Sequence, residues 1–303
     1  AKDLKRELPN TNGFSRTNLF AMRKFYLFYK EAELVQQLGG QFELNPKYKE
    51  DSELVQQPVG QLPFTYLLCK IPWGHHIVIL GKCSTIKEAQ FYIEQIIYNN
   101  WSRNVLEIQI ENKLIDRLGN AQNNFELTLP KPQSDLAKET LKDPYKFDFL
   151  TLEADVQELE LEKSLTDNIT QFLLELGKGF AFIGRQYVIQ VGKKERKLDL
   201  LFYHTKMHCY MVIDLKMGEF EPEFAGKMNY YLSAVDQLLK TEHDNPSIGI
   251  ILCKSKDGLE VEYALQDLNK PMGISEFTFN ELPKNIQNNM PTVEELENEL
   301  NKI

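Results

Sequence analysis

The sequence predicts an α/β protein, with a mainly helical N-terminal domain and a C-terminal domain built on a mixed sheet. Its 303 residues leave room for about two domains. Helical segments dominate the first part, whereas apolar strand-like runs gather after about residue 152. These runs alternate with amphipathic segments in the order helix, three strands, helix, strand, helix, strand. We therefore place the domains at 1–150 and 151–303.

The N-terminal domain is predicted from capping signals and apolar periodicity. Ser15 can cap a helix, and a later helical segment begins at a Ser cap and stops at Gly119. The predicted helices cover 15–30, 85–99 and 102–118. Residues 39–63 are polar and turn-rich, so we expect a loop or a small sheet flap there. Residues 120–150 carry three prolines among several Asn, Asp and Lys residues, and we interpret them as an irregular connector.

The C-terminal domain is predicted from one long amphipathic helix followed by apolar runs. The helix covers about 155–176, carries an apolar stripe on one face and ends at Gly177. Strands are predicted over 180–191, 197–204, 208–217, 247–253 and 272–279. Two further helices are predicted over 222–241 and 257–268.

The composition is that of an ordinary soluble protein, with 42% hydrophobic and 26% charged residues. A formal net charge of −9 argues against a uniformly basic nucleic-acid coat, but it allows a local basic groove. We find no signal peptide and no apolar run long enough to span a bilayer, so we expect no membrane partner. The four cysteines lack C-x-x-C spacing, which predicts reduced core thiols in a cytoplasmic protein. Because the chain begins at Ala1, we expect its native start to be missing.

An Asp-x-Lys stands inside the apolar run MVIDLKMGEF (211–220). Asp214 and Lys216 are two residues apart, so on a strand they share a face, where charges are costly unless they are paired or hold a metal. If the chain reverses within residues 205–208, Asp199 lies opposite Asp214 on that same face. The turn lacks Gly or Asn, so a one-residue slip that turns one carboxylate away is an alternative.

Two facing carboxylates repel each other, and a divalent cation between them removes that penalty. Hard oxygen ligands suit Mg²⁺ or Mn²⁺, and Lys216 could reach an anion beside the metal, which together suit phosphodiester hydrolysis. A purely structural ion-pair network is the alternative. Glu162 flanks the apolar stripe of the long helix and could lean towards the pair, with Glu175 as the competing choice.

Longer phrases around these residues resemble one nuclease family. Asp199, then Asp214-Leu215-Lys216, after a Glu-bearing helix, resembles the PD-(D/E)XK nuclease superfamily. The phrases most similar to the YhcG-type PDDEXK nucleases of bacteria are LELGKGFAFIGRQ, KLDLLFYH, IDLKMGEFEPEFAGKMNYYL and NPSIGIILCKSKD. Upstream phrases similar to the N-terminal domain of that family are IPWGHHIVIL, NNWSRNVLEIQI, NNFELTLP and LKDPYKFDFL. The resemblance covers nearly the whole chain.

The resemblance implies a restriction-endonuclease-like αβββαβ core for the C-terminal domain and metal-dependent cleavage of DNA or RNA. Carried over by position, Asp199 and Asp214 would bind the metal, helped by the Leu215 carbonyl. Lys216 would serve the attacking water, and Gln186, in the phrase GRQ, would help to shape the site. The family often has Glu in place of Asp214; Asp keeps the carboxylate but shortens its reach.

The resemblance also implies a winged-helix-like N-terminal part, with GFSRTNLFAMRKF (13–25) as its helix-turn-helix phrase. Basic residues at helical spacing could contact phosphates there or form a solvated face; they are Arg16, Arg23 and Lys24. The candidate contacts to the nucleic-acid backbone in the nuclease domain are Arg185, Lys193, Lys194, Arg196, Lys197 and Lys227. For the run KKERK (193–197), a solvated turn is the alternative. Aromatic residues near the N-terminus, such as Phe25 and Tyr26, could belong to the core or to a homodimer surface.

The residues and the resemblance together predict a Mg²⁺- or Mn²⁺-dependent nuclease acting on DNA, with RNA as the second choice. Repair, mobile-element control and phage defence are the expected roles. The N-terminal domain is expected to bind nucleic acid or a partner protein. The alternative is a non-cleaving nucleic-acid-binding or assembly module that retains a nuclease fold.

Overall fold

The structure of the protein is a computed structural model that describes residues 2–7, 13–30 and 64–282. The flap predicted over 39–63 lies outside these residues. The chain folds into two compact units, which divide between Asp116 and Arg117.

The first unit contains helices and, among its described residues, no strand. Its elements are α1 (Lys2–Glu7), α2 (Arg16–Tyr29), α3 (Phe64–Lys70), α4 (Trp73–Lys82), α5 (Ile86–Asn99), α6 (Arg103–Glu111) and a 3₁₀ turn over Leu114–Asp116. The Ser15 hydroxyl accepts a hydrogen bond from the Asn18 amide at 3.2 Å, which confirms the predicted cap. Thr85 and Glu88 form a capping box at the start of α5. The winged-helix character of this unit stays a prediction, because a wing requires strands.

The helix predicted over 102–118 ends early. α6 stops at Glu111, and Lys113 has a left-handed backbone conformation (φ 49°) that a helix cannot continue through. Leu106 and Leu114 are both buried, so the apolar periodicity that suggested one helix comes from two packed segments.

A seven-stranded mixed sheet forms the second unit. The strands are β1 (Gln122–Asn123), β2 (Tyr145–Leu152), β3 (Phe180–Val191), β4 (Lys194–His204), β5 (Cys209–Glu219), β6 (Ile248–Ser255) and β7 (Met272–Glu281). The helices are α7 (Phe125–Thr128), α8 (Gln133–Thr140), α9 (Glu158–Asp167), α10 (Ile169–Leu176), α11 (Pro222–Leu238) and α12 (Gly258–Leu265). The strand order is β1-β7-β6-β5-β4-β3, with β2 paired to β7. Because β3, β4 and β5 are antiparallel while β5, β6 and β7 are parallel, the predicted mixed sheet is confirmed.

The unit boundary lies earlier than the sequence predicted. Residues 117–150, which we assigned to the N-terminal domain and its connector, supply strands and helices to the second unit. Tyr145 pairs with Phe277 of β7 and is fully buried, as is Phe147. Burial of these aromatic side chains ties the segment to the sheet, although its prolines and polar residues are typical of a connector.

The helix predicted over 155–176 is two helices, α9 and α10, which break at Asn168. Asn168 has φ −107° and ψ 37°, and its side-chain amide donates a hydrogen bond to the Ser164 carbonyl at 3.0 Å. Leu161 and Phe172 are nevertheless fully buried in one core, so the predicted apolar stripe is confirmed.

Helices pack against both faces of the sheet. The core beneath α9 and α10 includes Ile213 and Leu215 of β5, whereas the core beneath α11 and α12 includes Val212. Because side chains alternate along a strand, Asp214 and Lys216 lie on the Val212 face, towards α11.

None of the helices in the described ranges is long and apolar enough to cross a membrane. The four cysteines are free, which confirms the prediction of unpaired thiols. Their predicted core location is confirmed for Cys83, Cys209 and Cys253 but is wrong for Cys69, which is exposed at the end of α3.

Candidate active site

The acidic pair lies at the end of the ladder between β4 and β5. The observed register joins Leu200 to Ile213, and a four-residue loop connects the two strands. Continuing this register by one residue sets Asp199 opposite Asp214, as the sequence predicted. The Leu215 amide donates a hydrogen bond to Asp199 Oδ2 at 3.1 Å. Asp214 is 2% exposed, so this carboxylate is a buried charge that needs compensation.

The surroundings of Asp199 disfavour a second negative charge. Burial, the charge of Asp214 and a hydrogen bond between the two side chains raise the pKa of Asp199 from 3.8 to about 8. The hydrogen bond from the Leu215 amide lowers that pKa but does not offset the other effects. Without a metal ion, Asp199 therefore holds a proton near neutral pH.

Two ammonium groups flank the Asp214 carboxylate. Lys216 Nζ lies 3.0 Å from Asp214 Oδ2 and donates a hydrogen bond to the Leu215 carbonyl oxygen at 2.7 Å. Lys227 Nζ, on α11, lies 3.1 Å from Asp214 Oδ1. Burial is the largest single effect and lowers the pKa of each lysine, but the charges of Asp214 and Asp199 and the hydrogen bond to Asp214 together outweigh it, so the pKa of both is raised. Both side chains therefore stay protonated at neutral pH.

Glu162 of α9 meets Gln186 of β3 beside the acidic pair. Gln186 Nε2 donates hydrogen bonds to both carboxylate oxygens of Glu162, at 2.9 Å and 2.7 Å. Gln186 has a positive φ of 49° and interrupts the β3–β4 ladder at the position opposite Asp199. Burial raises the pKa of Glu162, and the nearby charge of Asp214 adds to that rise. The structure thus brings both predicted residues to the site.

The competing acid, Glu175, has other partners. Arg117 Nη1 lies 2.6 Å from Glu175 Oε1, and Lys142 Nζ lies 3.3 Å from Glu175 Oε2. The Lys146 amide also donates a hydrogen bond to Oε1 at 2.9 Å. All three charged side chains are at most 5% exposed, so Glu175 serves a buried ion network rather than the Asp214 site.

A further acid of the site, which we did not predict from the sequence, is Glu158 at the start of α9. Its Oε2 lies 3.2 Å from Lys216 Nζ, and its Oε1 accepts a hydrogen bond from the Met217 amide at 3.4 Å. That amide lies at a bulge, because the β5–β6 register shifts between Lys216 and Glu219. Glu158 precedes Glu162 by four residues on one helix face, and this spacing is the signal that could have identified it.

The oxygen atoms of the site suit a hard divalent cation. Asp214 Oδ2 is buried and accepts no hydrogen bond from any residue that the structure describes, although the Lys216 ammonium lies within ion-pair distance of it. Asp199 and the Leu215 carbonyl supply further oxygens. Within the described part of the chain, no three Asp, Glu, His or Cys side chains form a metal-binding group. Two carboxylates and a carbonyl fit Mg²⁺ better than Zn²⁺, because Mg²⁺ commonly keeps several water ligands and takes few from the protein.

The predicted basic contacts fall in separate places. Those of the first unit, exposed on α2, are Arg16, Arg23 and Lys24. The basic residues exposed on the β3–β4 hairpin are Lys193, Lys194, Arg196 and Lys197. The hairpin has a two-residue turn, in which Gly192 has a φ of 61°. Arg185 lies beside α9, where its Nη1 is 3.5 Å from the Leu159 carbonyl oxygen. Of this set, the structure brings Arg185 close to Glu162 and Lys227 into direct contact with Asp214.

Solved structures that resemble the chain are distant from it. A repair endonuclease from Pyrococcus abyssi is 18% identical, with a TM-score of 0.29, and the match covers 43% of this chain and 49% of that one. An EndoMS–dsDNA2 complex is 18% identical, with a TM-score of 0.30, and the match covers 45% of this chain and 48% of that one. The chain therefore spans about half the length of each.

Sequence comparison identifies the family. The chain is 31% identical over 271 residues to the protein named "Putative nuclease YhcG" of Escherichia coli (strain K12), a match that covers 88% of this chain and 71% of that protein. Residues 1–117 match the DUF1016 N-terminal domain, whose end coincides with the division between the two units. Residues 138–291 match the YhcG PDDEXK nuclease domain. The chain therefore belongs to the family of YhcG-type PDDEXK nucleases that carry a DUF1016 N-terminal domain.

Proposed function

We propose that the protein is a divalent-metal-dependent nuclease that hydrolyses phosphodiester bonds of DNA, with RNA as the second choice. The observation that carries the proposal is the meeting of Asp199, Asp214 and Lys216 at one ladder end, within a chain of the PDDEXK family. Repair, mobile-element control and phage defence are the roles we expect, with the cytoplasm as the compartment.

Asp199, Asp214 and the Leu215 carbonyl oxygen would hold the metal ion, Mg²⁺ or Mn²⁺. When bound, such an ion polarises a phosphoryl oxygen and lowers the pKa of a water molecule. Asp199 must lose its proton to act as a ligand, because its raised pKa applies to the metal-free site. Metal binding therefore competes with protonation of Asp199.

The two lysines have different tasks. The Lys216 side chain is 9% exposed, so its ammonium acts in a region of low dielectric, where it orients water and offsets charge that develops on the phosphate. The Lys227 side chain is 42% exposed and reaches Asp214 from the solvent side, which suits it to contact a phosphate oxygen of the bound substrate. Gln186 and Glu162 position α9 against β3 beside Asp199.

The β3–β4 hairpin is the proposed path for the nucleic-acid backbone in the nuclease domain. Its turn carries the sequence KKERK (193–197), and Lys197 precedes Asp199 by two residues on β4. Arg16, Arg23 and Lys24 are the proposed contacts of the N-terminal domain, to nucleic acid or to a partner protein. A homodimer through that domain is part of the proposal. Phe25 packs against Trp73 at 5.6 Å between ring centroids, whereas Tyr26 is 67% exposed and is the better candidate for such a surface.

The test is cleavage of single- and double-stranded DNA and RNA with Mg²⁺, Mn²⁺ or EDTA. We expect metal-dependent cleavage by the wild-type protein and its loss in Asp214→Ala and Lys216→Ala. Glu160→Ala is the matched control, because Glu160 is exposed on the same helix as Glu162 and should retain activity. Cleavage that persists in EDTA, or in both active-site variants, would contradict the proposal.

The second candidate is a non-cleaving nucleic-acid-binding or assembly module. One observation favours it: the ammonium groups of Lys216 and Lys227 lie 3.0 Å and 3.1 Å from the two oxygens of the buried Asp214 carboxylate and can balance its charge. Binding of nucleic acid without cleavage under every metal condition would establish this candidate in place of the first.

A further inference from the structure

The Lys216 ammonium uses oxygen atoms that the proposed metal ion requires. It lies 2.7 Å from the Leu215 carbonyl oxygen and 3.0 Å from Asp214 Oδ2. Mg²⁺ approaches its oxygen ligands to about 2.0–2.1 Å, closer than an ammonium does. Two cations on the same pair of oxygens repel each other strongly in a buried site. The ammonium must therefore leave these atoms when a metal ion binds.

The surroundings of Lys216 limit where its ammonium can go. Apart from the metal-binding oxygens, the described residues around it offer the Glu158 carboxylate at 3.2 Å and the ring of Phe224 at 5.4 Å from the centroid. A carboxylate is the stronger partner, since it carries a full charge and can accept a hydrogen bond.

The Glu158 side chain is also held by a second contact. Its other oxygen accepts the Met217 amide at the β5 bulge, so the side chain bridges α9 and β5. The side chain is 43% exposed and, with Asp155 and Met217, borders a surface cleft of about 500 Å³. The Glu158 carboxylate can therefore stay in contact with water while it holds an ammonium at the mouth of the site.

We propose that Glu158 positions Lys216 by accepting its ammonium when a metal ion occupies Asp214 and the Leu215 carbonyl. This inference rests on the proposed function of the site. It assigns Glu158 an effect on metal affinity that passes through Lys216, because without Glu158 the ammonium stays over Asp214 and competes with the ion. Glu158 itself does not contact the metal.

The test is Mn²⁺ affinity in the absence of nucleic acid, measured by electron paramagnetic resonance titration of the free ion. Glu158→Gln keeps a carbonyl oxygen for the Met217 amide but cannot carry the charge that holds the ammonium. We expect Lys216→Met to bind Mn²⁺ about tenfold more tightly than wild type, because a competing cation is gone. We expect Glu158→Gln to weaken binding about fivefold in the wild-type background and to change it by less than about twofold in Lys216→Met.

Lys227→Met is the matched control, because it removes the ammonium on the other oxygen of the same carboxylate. The effect of Glu158→Gln should persist in that background. Equal weakening in the Lys216→Met and wild-type backgrounds would mean that Glu158 acts on the ion directly, and the inference would fail. It would also fail if the wild type bound Mn²⁺ and Lys216→Met bound it no more tightly, although the proposed function would then stand. If neither protein bound Mn²⁺, both would fall. Lys216→Gln replaces Lys216→Met in the same comparison if thermal melting shows that the first variant is unfolded.

Discussion

Replacing Asp199 with Asn should change how the stability of the second unit depends on pH. In the folded, metal-free protein, burial, the Asp214 charge and their shared hydrogen bond raise the pKa of Asp199 from 3.8 to about 8. The folded state therefore binds this proton more tightly than the unfolded state does. The contribution of Asp199 to the free energy of unfolding is therefore highest below about pH 4 and is lost as the pH rises through about 8.

The size of the effect follows from that shift. Between these pH values, a rise of one pH unit lowers the free energy of unfolding by up to about 1.4 kcal/mol, and solvent around the partly exposed Asp199 reduces this figure. Asn cannot titrate, and its amide can still donate a hydrogen bond to Asp214. From about pH 5 to pH 7 the wild type should therefore lose about 1–3 kcal/mol more stability than Asp199→Asn.

The assay is urea unfolding in EDTA at several pH values, followed by far-ultraviolet circular dichroism. Both tryptophans, Trp73 and Trp101, belong to the first unit, so their fluorescence follows that unit separately. Asp148→Asn is the control, because the Asp148 side chain is exposed on β2. This substitution should leave the slope of unfolding free energy against pH as it is in the wild type. Parallel stability curves for the wild type and Asp199→Asn would refute the reasoning. Saturating Mg²⁺ should reverse the wild-type trend, since the ion and the proton compete for Asp199.

Three further predictions address the buried network, the backbone and the basic hairpin. Glu175→Ala leaves Arg117 and Lys142 buried without their shared carboxylate, so the free energy of unfolding, measured by urea titration, should fall by about 3–5 kcal/mol. The control is Glu160→Ala at an exposed position, which should lower the free energy of unfolding by less than about 0.5 kcal/mol. A smaller loss for Glu175→Ala would mean that the network is solvated. Gly179→Ala should cost about 2–4 kcal/mol, because Gly179 has φ 114° and a Cβ would lie 2.6 Å from the His204 ring. Gly177→Ala shares the strained φ of 110° but has open space around it, so equal losses in the two alanine variants would exclude the clash as a cause. Replacing Lys194 and Lys197 with Gln should weaken the salt dependence of binding to duplex DNA. The slope of log affinity against log salt concentration should become smaller by about 0.9 for each phosphate that is no longer neutralised. An unchanged slope would mean that both lysines belong to a solvated turn.

The pairing of Asp199 with Asp214 could be predicted because short-range rules determine it. Apolar residues that flank both acids, such as Leu200 and Ile213, fix the buried faces, and a short connection fixes the register. The same local rules located β3 to β7 and the starts of the helices at Ser15, Thr85 and Ser102.

Features that depend on distant partners were missed. The burial of Tyr145 depends on β7, which comes much later in the chain, so the polar composition around it gave the wrong boundary. Lys227 was predicted as a nucleic-acid contact, but its distance from Asp214 depends on how α11 crosses β5, which apolar periodicity does not specify. Glu158 has the i, i+4 spacing from Glu162, but its contact with the Met217 amide depends on the β5 bulge, for which the sequence carries no local signal.

The most direct test of the central claim is a crystal structure of the protein soaked with Mn²⁺, with anomalous scattering used to locate the ion. Our account predicts an anomalous peak bounded by Asp199, Asp214 and the Leu215 carbonyl, with the Lys216 ammonium moved off Asp214, and loss of that peak in Asp214→Asn. An unchanged pair of lysines around Asp214, with no ion there at saturating Mn²⁺, would contradict it.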